Sequence, residues 1–195
     1  MSGFLAPLND NRARDVLRKL SETSDAAAMR DVLRQSYPTI FRSSEVKELQ
    51  SGAEALFFSG ADRGEPLVFV CRMDLPRPFP IGDTTGAFEA PLSRAHTVAL
   101  LEALEALLGE GYRPSGDLYL CLCFDGLGQG AGAQSAAQFL HARAVKPCFV
   151  LDYGGYVTRD AFATFMPHGS TLALVGVTEK PRLAGVMAAE PYPDA

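Results

Sequence analysis

Four uninterrupted apolar runs set the strongest constraint on this chain: residues 66–73 (PLVFVCRM), 117–124 (DLYLCLCF), 147–152 (PCFVLD) and 170–178 (STLALVGVT). Apolar stretches of this length without polar alternation suit strands buried on both faces. Helical segments separate the first three. Residues 97–110 place Leu100, Leu101, Leu104, Leu107 and Leu108 on one side, with Gly109 or Gly111 at the end, the pattern of an amphipathic helix closed by glycine. Residues 133–142 predict a second helix, entered from the glycine-rich turn at 126–130. Strand, helix, strand, helix, strand implies βαβ crossovers and a largely parallel sheet. Ligands in such sheets sit beyond the carboxyl ends of the strands.

Ahead of the first run, residues 9–23 carry Val16, Leu17 and Leu20 at helical spacing, with Asn9 or Asp10 as N-cap. Ser24 or Asp25 caps a second helix, striped by Met29, Val32, Leu33 and Tyr37 and stopped by Pro38. Residues 45–59 read as a β-hairpin turning near Ser51 and Gly52. Prolines 76, 78, 80 and 91 with glycines 82 and 86 predict a loop over 74–91, and prolines 181, 191 and 193 a partly structured tail over 181–195. At 195 residues and 47% apolar composition, one domain over 1–195 is expected, led by helices within 1–40.

A net charge of −5 without a basic stripe argues against nucleic acid. No stretch approaches a membrane span and no signal-like segment opens the chain, so a soluble cytoplasmic protein is expected. Cys71, Cys121, Cys123 and Cys148 all fall in strand-like apolar runs. Buried reduced thiols are the simplest account, with zinc ligation as the alternative, although Cys121 and Cys123 lack the usual C-x-x-C spacing. Glycines 126, 128 and 130 follow a strand and precede a helix as phosphate-cradling loops do, but neither a Lys-Ser/Thr pair nor G-x-G-x-x-G spacing accompanies them. His96 is expected before a helix, His141 at the end of one and His168 in a Pro-Gly loop, with no partners at ligand spacing.

Three blocks share one further pattern. A strand ends Arg72-Met73-Asp74 and, after a long loop and the segment Ala90-Pro91-Leu92-Ser93-Arg94, leads to the LEALEALL helix. The next strand ends Phe124-Asp125-Gly126-Leu127 and runs into Gly128-Gln129-Gly130-Ala131-Gly132-Ala133-Gln134. The third ends Leu151-Asp152-Tyr153-Gly154-Gly155, with LALVGVTEK over 172–180 beyond it. Jointly, over about residues 10–180, these blocks resemble the catalytic domain of zinc-dependent peptidases and aminoacylases of the carboxypeptidase-S type. The resemblance implies a three-layer α/β/α sandwich with a mixed, mostly parallel sheet, without the family's lid and dimerisation domain.

Carried over position by position, the resemblance places the family's first zinc-binding His on Arg72 and its metal-bridging Asp on Leu92. It places the general-base Glu on Gly126 and the next metal-binding Glu on Leu127. Asp152 survives as a direct ligand, Asp74 as the residue that orients the lost His, and Asp125 is retained without a ligand role. A catalytic zinc takes about three protein ligands and an open water position, and water activation needs a base. No bound metal or other cofactor is therefore expected, and no catalytic residue. Arg72 is expected to fill part of the vacated metal volume and pair with Asp74 or Asp152, or else to extend to solvent. Three functions stay open. The first is a pseudoenzyme acting as a structural or binding module for an unknown protein partner. In the second, the crevice of Arg72, Asp74, Asp125 and Asp152 binds a small carboxylate such as an amino acid or acyl-amino acid. The third is an active zinc-dependent carboxypeptidase or aminoacylase completed by another chain.

Overall fold

A computed structural model describes residues 10–23, 25–73, 85–124, 131–152, 157–159, 171–173, 176–179 and 182–186. Three helices lead the chain: α1 (Asp10–Ser21), α2 (Ala26–Ser36) and α3 (Pro38–Ser43). Asp25 caps α2, its carboxylate accepting the Ala28 N–H at 2.8 Å. Pro38 ends α2 as expected and also starts α3, which the sequence reading lacked. Its fixed φ and missing N–H suit the first turn of a helix.

The hairpin forms as predicted, with β1 (Glu45–Glu48) paired antiparallel to β2 (Glu54–Phe58) and Ser51 and Gly52 both at positive φ in the turn between them. The first three apolar runs become β3 (Gly64–Arg72), β4 (Gly116–Cys123) and β5 (Phe149–Asp152). Between them lie α4 (Thr85–Gly109) and α5 (Ala131–Ala142). The fourth run is not one strand. It divides into β7 (Thr171–Ala173), paired with β6 (Val157–Arg159), and β8 (Gly176–Glu179), which joins the main sheet. β9 (Arg182–Val186) pairs with β8, giving the front of the tail regular structure.

The seven-stranded sheet has the order β1-β2-β4-β3-β5-β8-β9. It is mixed, as expected, but not mostly parallel: of the six pairings described in it, two are parallel, because hairpin-like neighbours rather than crossovers extend it on both sides. Parallel pairing is confined to β4, β3 and β5, while the described margins on both sides are antiparallel.

Alternation along the strands builds two cores. Cys71 and Met73 of the β3 segment join Leu118, Leu120, Leu122 and Phe124 against the helices α1 to α4. Val68, Val70, Tyr119 and Cys123 face the opposite way, toward Phe139 and Leu140 of α5. A sheet between two helical layers is the three-layer sandwich that the resemblance implied. Cys71, Cys121 and Cys123 are buried free thiols and Cys148 is half-buried. Burial pushes the Cys121 thiol up to about 12. No helix among the described residues is long and apolar enough to cross a membrane.

The loop expected over 74–91 is corrected in its second half. α4 begins at Thr85 and carries Pro91 inside it. Proline density suggested a loop, but Ala87, Phe88, Glu89 and Ala90 are compatible with a helix and Pro91 alone does not end it.

Candidate functional site

The carboxyl ends of β3, β4 and β5 lie side by side, and the register fixes which residues share that rim. Arg72 is level with Cys123, and Val70 is level with both Cys121 and Asp152. Arg72 therefore stands two residues beyond Asp152 on the adjacent strand. Standard strand spacings put the two backbones about 8 Å apart, a span that an arginine side chain can cover. Arg72 is exposed and, by alternation, lies on the α5 face together with Val68 and Val70.

Local hydrogen bonds hold this rim. The Thr97 hydroxyl of α4 donates to the Arg72 carbonyl at 3.1 Å, and the Met73 N–H donates to the Cys123 carbonyl at 2.8 Å. Thr97 is fully buried, so α4 fixes where β3 ends. Leu92 lies inside α4, and so does the 90–94 segment that the sequence placed ahead of the helix. Arg94 points into the N-terminal layer, where its buried guanidinium donates to the Leu20 carbonyl at 2.8 Å. His96 is also within α4 rather than before it, and burial lowers its imidazole below the ordinary value. His141 sits in the last turn of α5 as expected. Asp74, Asp125, Gly126, Leu127 and His168 lie outside the described residues, as does the Asp152 side chain. Among the described residues, no three His, Cys, Asp or Glu side chains gather as a metal ion would require.

Sequence reasoning missed a charged cluster beside the end of β4. Glu54, in register with Leu122, is completely buried, and Arg34 donates to its Oε1 at 2.6 Å. Arg30 approaches the same oxygen at 3.7 Å, lies 3.6 Å from Glu48 and places its guanidinium 5.9 Å from the centre of the Phe124 ring. Burial raises the Glu54 carboxyl above its ordinary range, and Arg34 and Arg30 pull it only partway back. The spacing of Arg30 and Arg34, one helical turn apart, was the signal available in the sequence. Its target on β2 was not, because Glu54 opens a strand whose neighbours are known only from the pairing.

No family model matches the chain. Its relatives include N-fatty-acyl-amino acid synthase/hydrolases PM20D1. The Homo sapiens protein is 36% identical over 83 residues, 43% of this chain and 16% of its own length. The Mus musculus protein is 29% identical over 177 residues, 82% of this chain and 34% of its own. PM20D1.1 of Danio rerio is 30% identical over 170 residues, 76% of this chain and 32% of its own. The chain thus spans at most about a third of the length of these relatives.

Solved structures show the same fold at low identity. LapB of Legionella pneumophila superposes with a TM-score of 0.59 at 13% identity, covering 80% of this chain and 46% of that one. A tripeptidase of Staphylococcus aureus gives 0.55 at 16%, covering 75% and 44%. A glutaminyl cyclase of an Acidobacteriales bacterium gives 0.55 at 14%, covering 83% and 65%. By its sequence relatives, and consistently with its fold, the chain is related to the M20-like peptidases.

Proposed function

We propose that this chain is a peptidase-like binding module of carboxypeptidase-S descent that lacks hydrolase activity. The observation that carries the reading is Arg72 at the end of β3, one strand over from Asp152. A zinc ligand would be needed at that position, and guanidinium stays protonated and donates only, so it cannot coordinate a cation. Leu92 offers no donor atom either. The residues at these positions do not fit a zinc centre, and no hydrolytic step is assigned to them.

Removing cations from a rim that keeps acidic residues leaves their charge to be balanced. Arg72 supplies one positive charge within reach of Asp152, which supports a role for it as the replacement counter-ion. Its exposure favours a second reading, in which the same guanidinium receives the carboxylate of an amino acid or acyl-amino acid.

Metal analysis of protein purified without chelator, paired with hydrolysis assays on N-acyl amino acids and dipeptides, tests the first reading. The expected result is zinc well below one equivalent and no turnover. Stoichiometric zinc that disappears in Asp152→Ala would show instead an active centre, here or completed by another chain. A thermal-shift series with acyl amino acids tests the second: a rise in melting temperature that Arg72→Gln abolishes supports carboxylate binding.

A further inference from the structure

A second candidate site lies at the opposite end of the sheet from Arg72, where β2 finishes and β4 begins. A cavity of about 510 Å³ opens there, within the range of about 300–1,000 Å³ typical of small-molecule sites. Phe58 and Pro114, both buried, contribute apolar walls. Tyr112 lines it as well and is 47% exposed, the only large hydrophobic side chain so exposed among the described residues. The remaining polar side chains come from three places: Ser43 from the last turn of α3, Ser59 just beyond β2, and Arg113 between α4 and β4.

Backbone hydrogen bonds fix these walls. The Ala61 N–H donates to the Pro114 carbonyl at 2.8 Å, the Asp62 N–H to the Ser115 carbonyl at 2.9 Å, and the Gly60 N–H to an Asp117 carboxylate oxygen at 3.0 Å. A Cβ on Gly60 would lie 2.5 Å from the Gly116 carbonyl carbon, so the two segments pack backbone against backbone. The side chains are not engaged in the same way. Ser43, Ser59, Tyr112 and Arg113 make no side-chain hydrogen bond or ion pair among the described residues. No lining residue is acidic. A rigid cavity with unused donors is what a small polar guest requires.

Charge and shape together select the guest. Arg113 offers one exposed guanidinium, and the neighbouring Tyr112 offers a flat face on which another ring can stack. Leu108 and Gly111 bring the end of α4 to the same cavity, and the carboxyl end of a helix disfavours anions. The Gly111 and Tyr112 N–H groups cover the Leu108 and Leu107 carbonyls at 3.0 and 2.9 Å, which weakens that opposition without reversing it. One cation beside a residual negative end suits one negative charge rather than two. We propose that this cavity binds a planar aromatic monoanion, a carboxylate or sulfonate, with its ring on Tyr112, its oxyanion at Arg113, and the Ser43 and Ser59 hydroxyls as further donors. The site is independent of the reading at Arg72, since strand geometry separates the two ends of β4 by about 20 Å.

Titration calorimetry with naphthalenesulfonate and with naphthoate, on the full chain, tests it. Saturable one-to-one binding of at least one of them is expected. Arg113→Gln should weaken it about tenfold, the loss of one charge-assisted contact, and Arg113→Lys should recover part of that. Tyr112→Ala should weaken it about fivefold through lost stacking, whereas Tyr112→Phe, which keeps the ring, should retain it. Both side chains are exposed, so these variants should fold, and the conservative pair gives a reading that a general loss of structure would not. Octanoate, with the charge but no ring, should bind at least about fivefold more weakly. Naphthylmethylammonium, with the ring and the opposite charge, should bind at least about tenfold more weakly. Arg72→Gln should leave binding unchanged. A loss of binding in Arg72→Gln would place the guest at the other end of the sheet and overturn the proposal. Octanoate or the cation binding as tightly as the aromatic anions also overturns it, as does tighter binding of the dianion naphthyl phosphate. So does indifference to both Arg113→Gln and Tyr112→Ala, or an absence of binding by both aromatic anions.

Discussion

Two helix ends use the same motif with different residues. After α4, the Gly111 N–H donates to the Leu108 carbonyl at 3.0 Å and the Tyr112 N–H to Leu107. After α5, the Ala144 N–H donates to the His141 carbonyl at 2.9 Å and the Val145 N–H to Leu140 at 3.0 Å. The motif needs a left-handed residue. Gly111 adopts that conformation freely, whereas Ala144 is forced to φ +52°. Ala144→Gly should therefore stabilise the protein by about 1 kcal/mol, raising the melting temperature by about 3 °C. Calorimetry of the variant checks this. Glu54 gives a residue-scale prediction of opposite character. Its folded pKa is raised by burial, so the fold favours the neutral form, and stability present below the ordinary glutamate value is lost as pH rises through the folded one. Glu54→Gln holds the neutral shape without that slope. Measured from about pH 4 to about pH 7, its melting temperature should climb relative to the parent protein's, and a constant or falling difference refutes the argument. At this scale the sequence was informative about short-range chemistry. Asp25 and Gly111 were legible, because their partners lie within a few residues. Ala144 was not, since nothing in its type announces a positive φ.

The predicted elements fared best where one periodicity dominated. β3 and β4 lie within about two residues of the runs that announced them, and α5 likewise. α4 was shortened because its first turns contain glycine and proline, and the 170–178 run was read as one strand because apolar content does not reveal a break between sheets. The LEALEALL run shows a different limit. Its leucines identified a helix, but Glu102 and Glu105, three apart, are themselves buried. Glu105 accepts the Thr39 and Ile40 N–H groups at 3.0 and 2.9 Å, satisfying the first turn of α3 across the helix interface. No local pattern encodes a cap supplied from 65 residues away. Where β3 and β4 enter the sheet, Gly64 and Gly116 are in register just before a shift in the pairing. A Cβ on Gly116 would lie 2.8 Å from the Gly64 carbonyl carbon and also collide with the Glu65 carbonyl oxygen. Both obstacles are backbone, so Gly116→Ala should destabilise by at least about 2 kcal/mol. Urea titration would detect that, and an unchanged midpoint would mean the two strands start farther apart.

For the whole molecule, the N-terminal layer is attached by charge as well as by apolar packing. Arg12 of α1 grips Glu102 of α4 with Nε at 2.9 and 3.0 Å and Nη2 at 2.6 Å, and lies 5.5 Å from the centre of the Tyr37 ring. Burial and the neighbouring Glu102 raise the Tyr37 phenol above its ordinary range. The pair is asymmetric: Glu102 is 1% exposed and Arg12 31%. Arg12→Ala strands a buried carboxylate and should cost about 3 kcal/mol, whereas Glu102→Gln leaves an arginine that water can reach and should cost about 1 kcal/mol. Chemical denaturation of both variants checks the order, and equal losses would mean the interface opens when either partner goes. The layered architecture was legible in the run-helix-run alternation. The rim was legible only as positions, since Arg72 gained its relation to Asp152 from register, which sequence does not carry. The central strand has a consequence for biosynthesis. β3 is flanked in the finished sheet by β4 and β5, both of which follow it in the chain. As the polypeptide emerges from the ribosome, β3 waits without either neighbour until α4 and β4 have been made, and its second edge stays open until β5 arrives. Long-range parallel pairing of this kind slows folding, so the nascent chain presents the apolar stretch Leu67 to Cys71 to chaperones for longer than its hairpin, whose two strands emerge together.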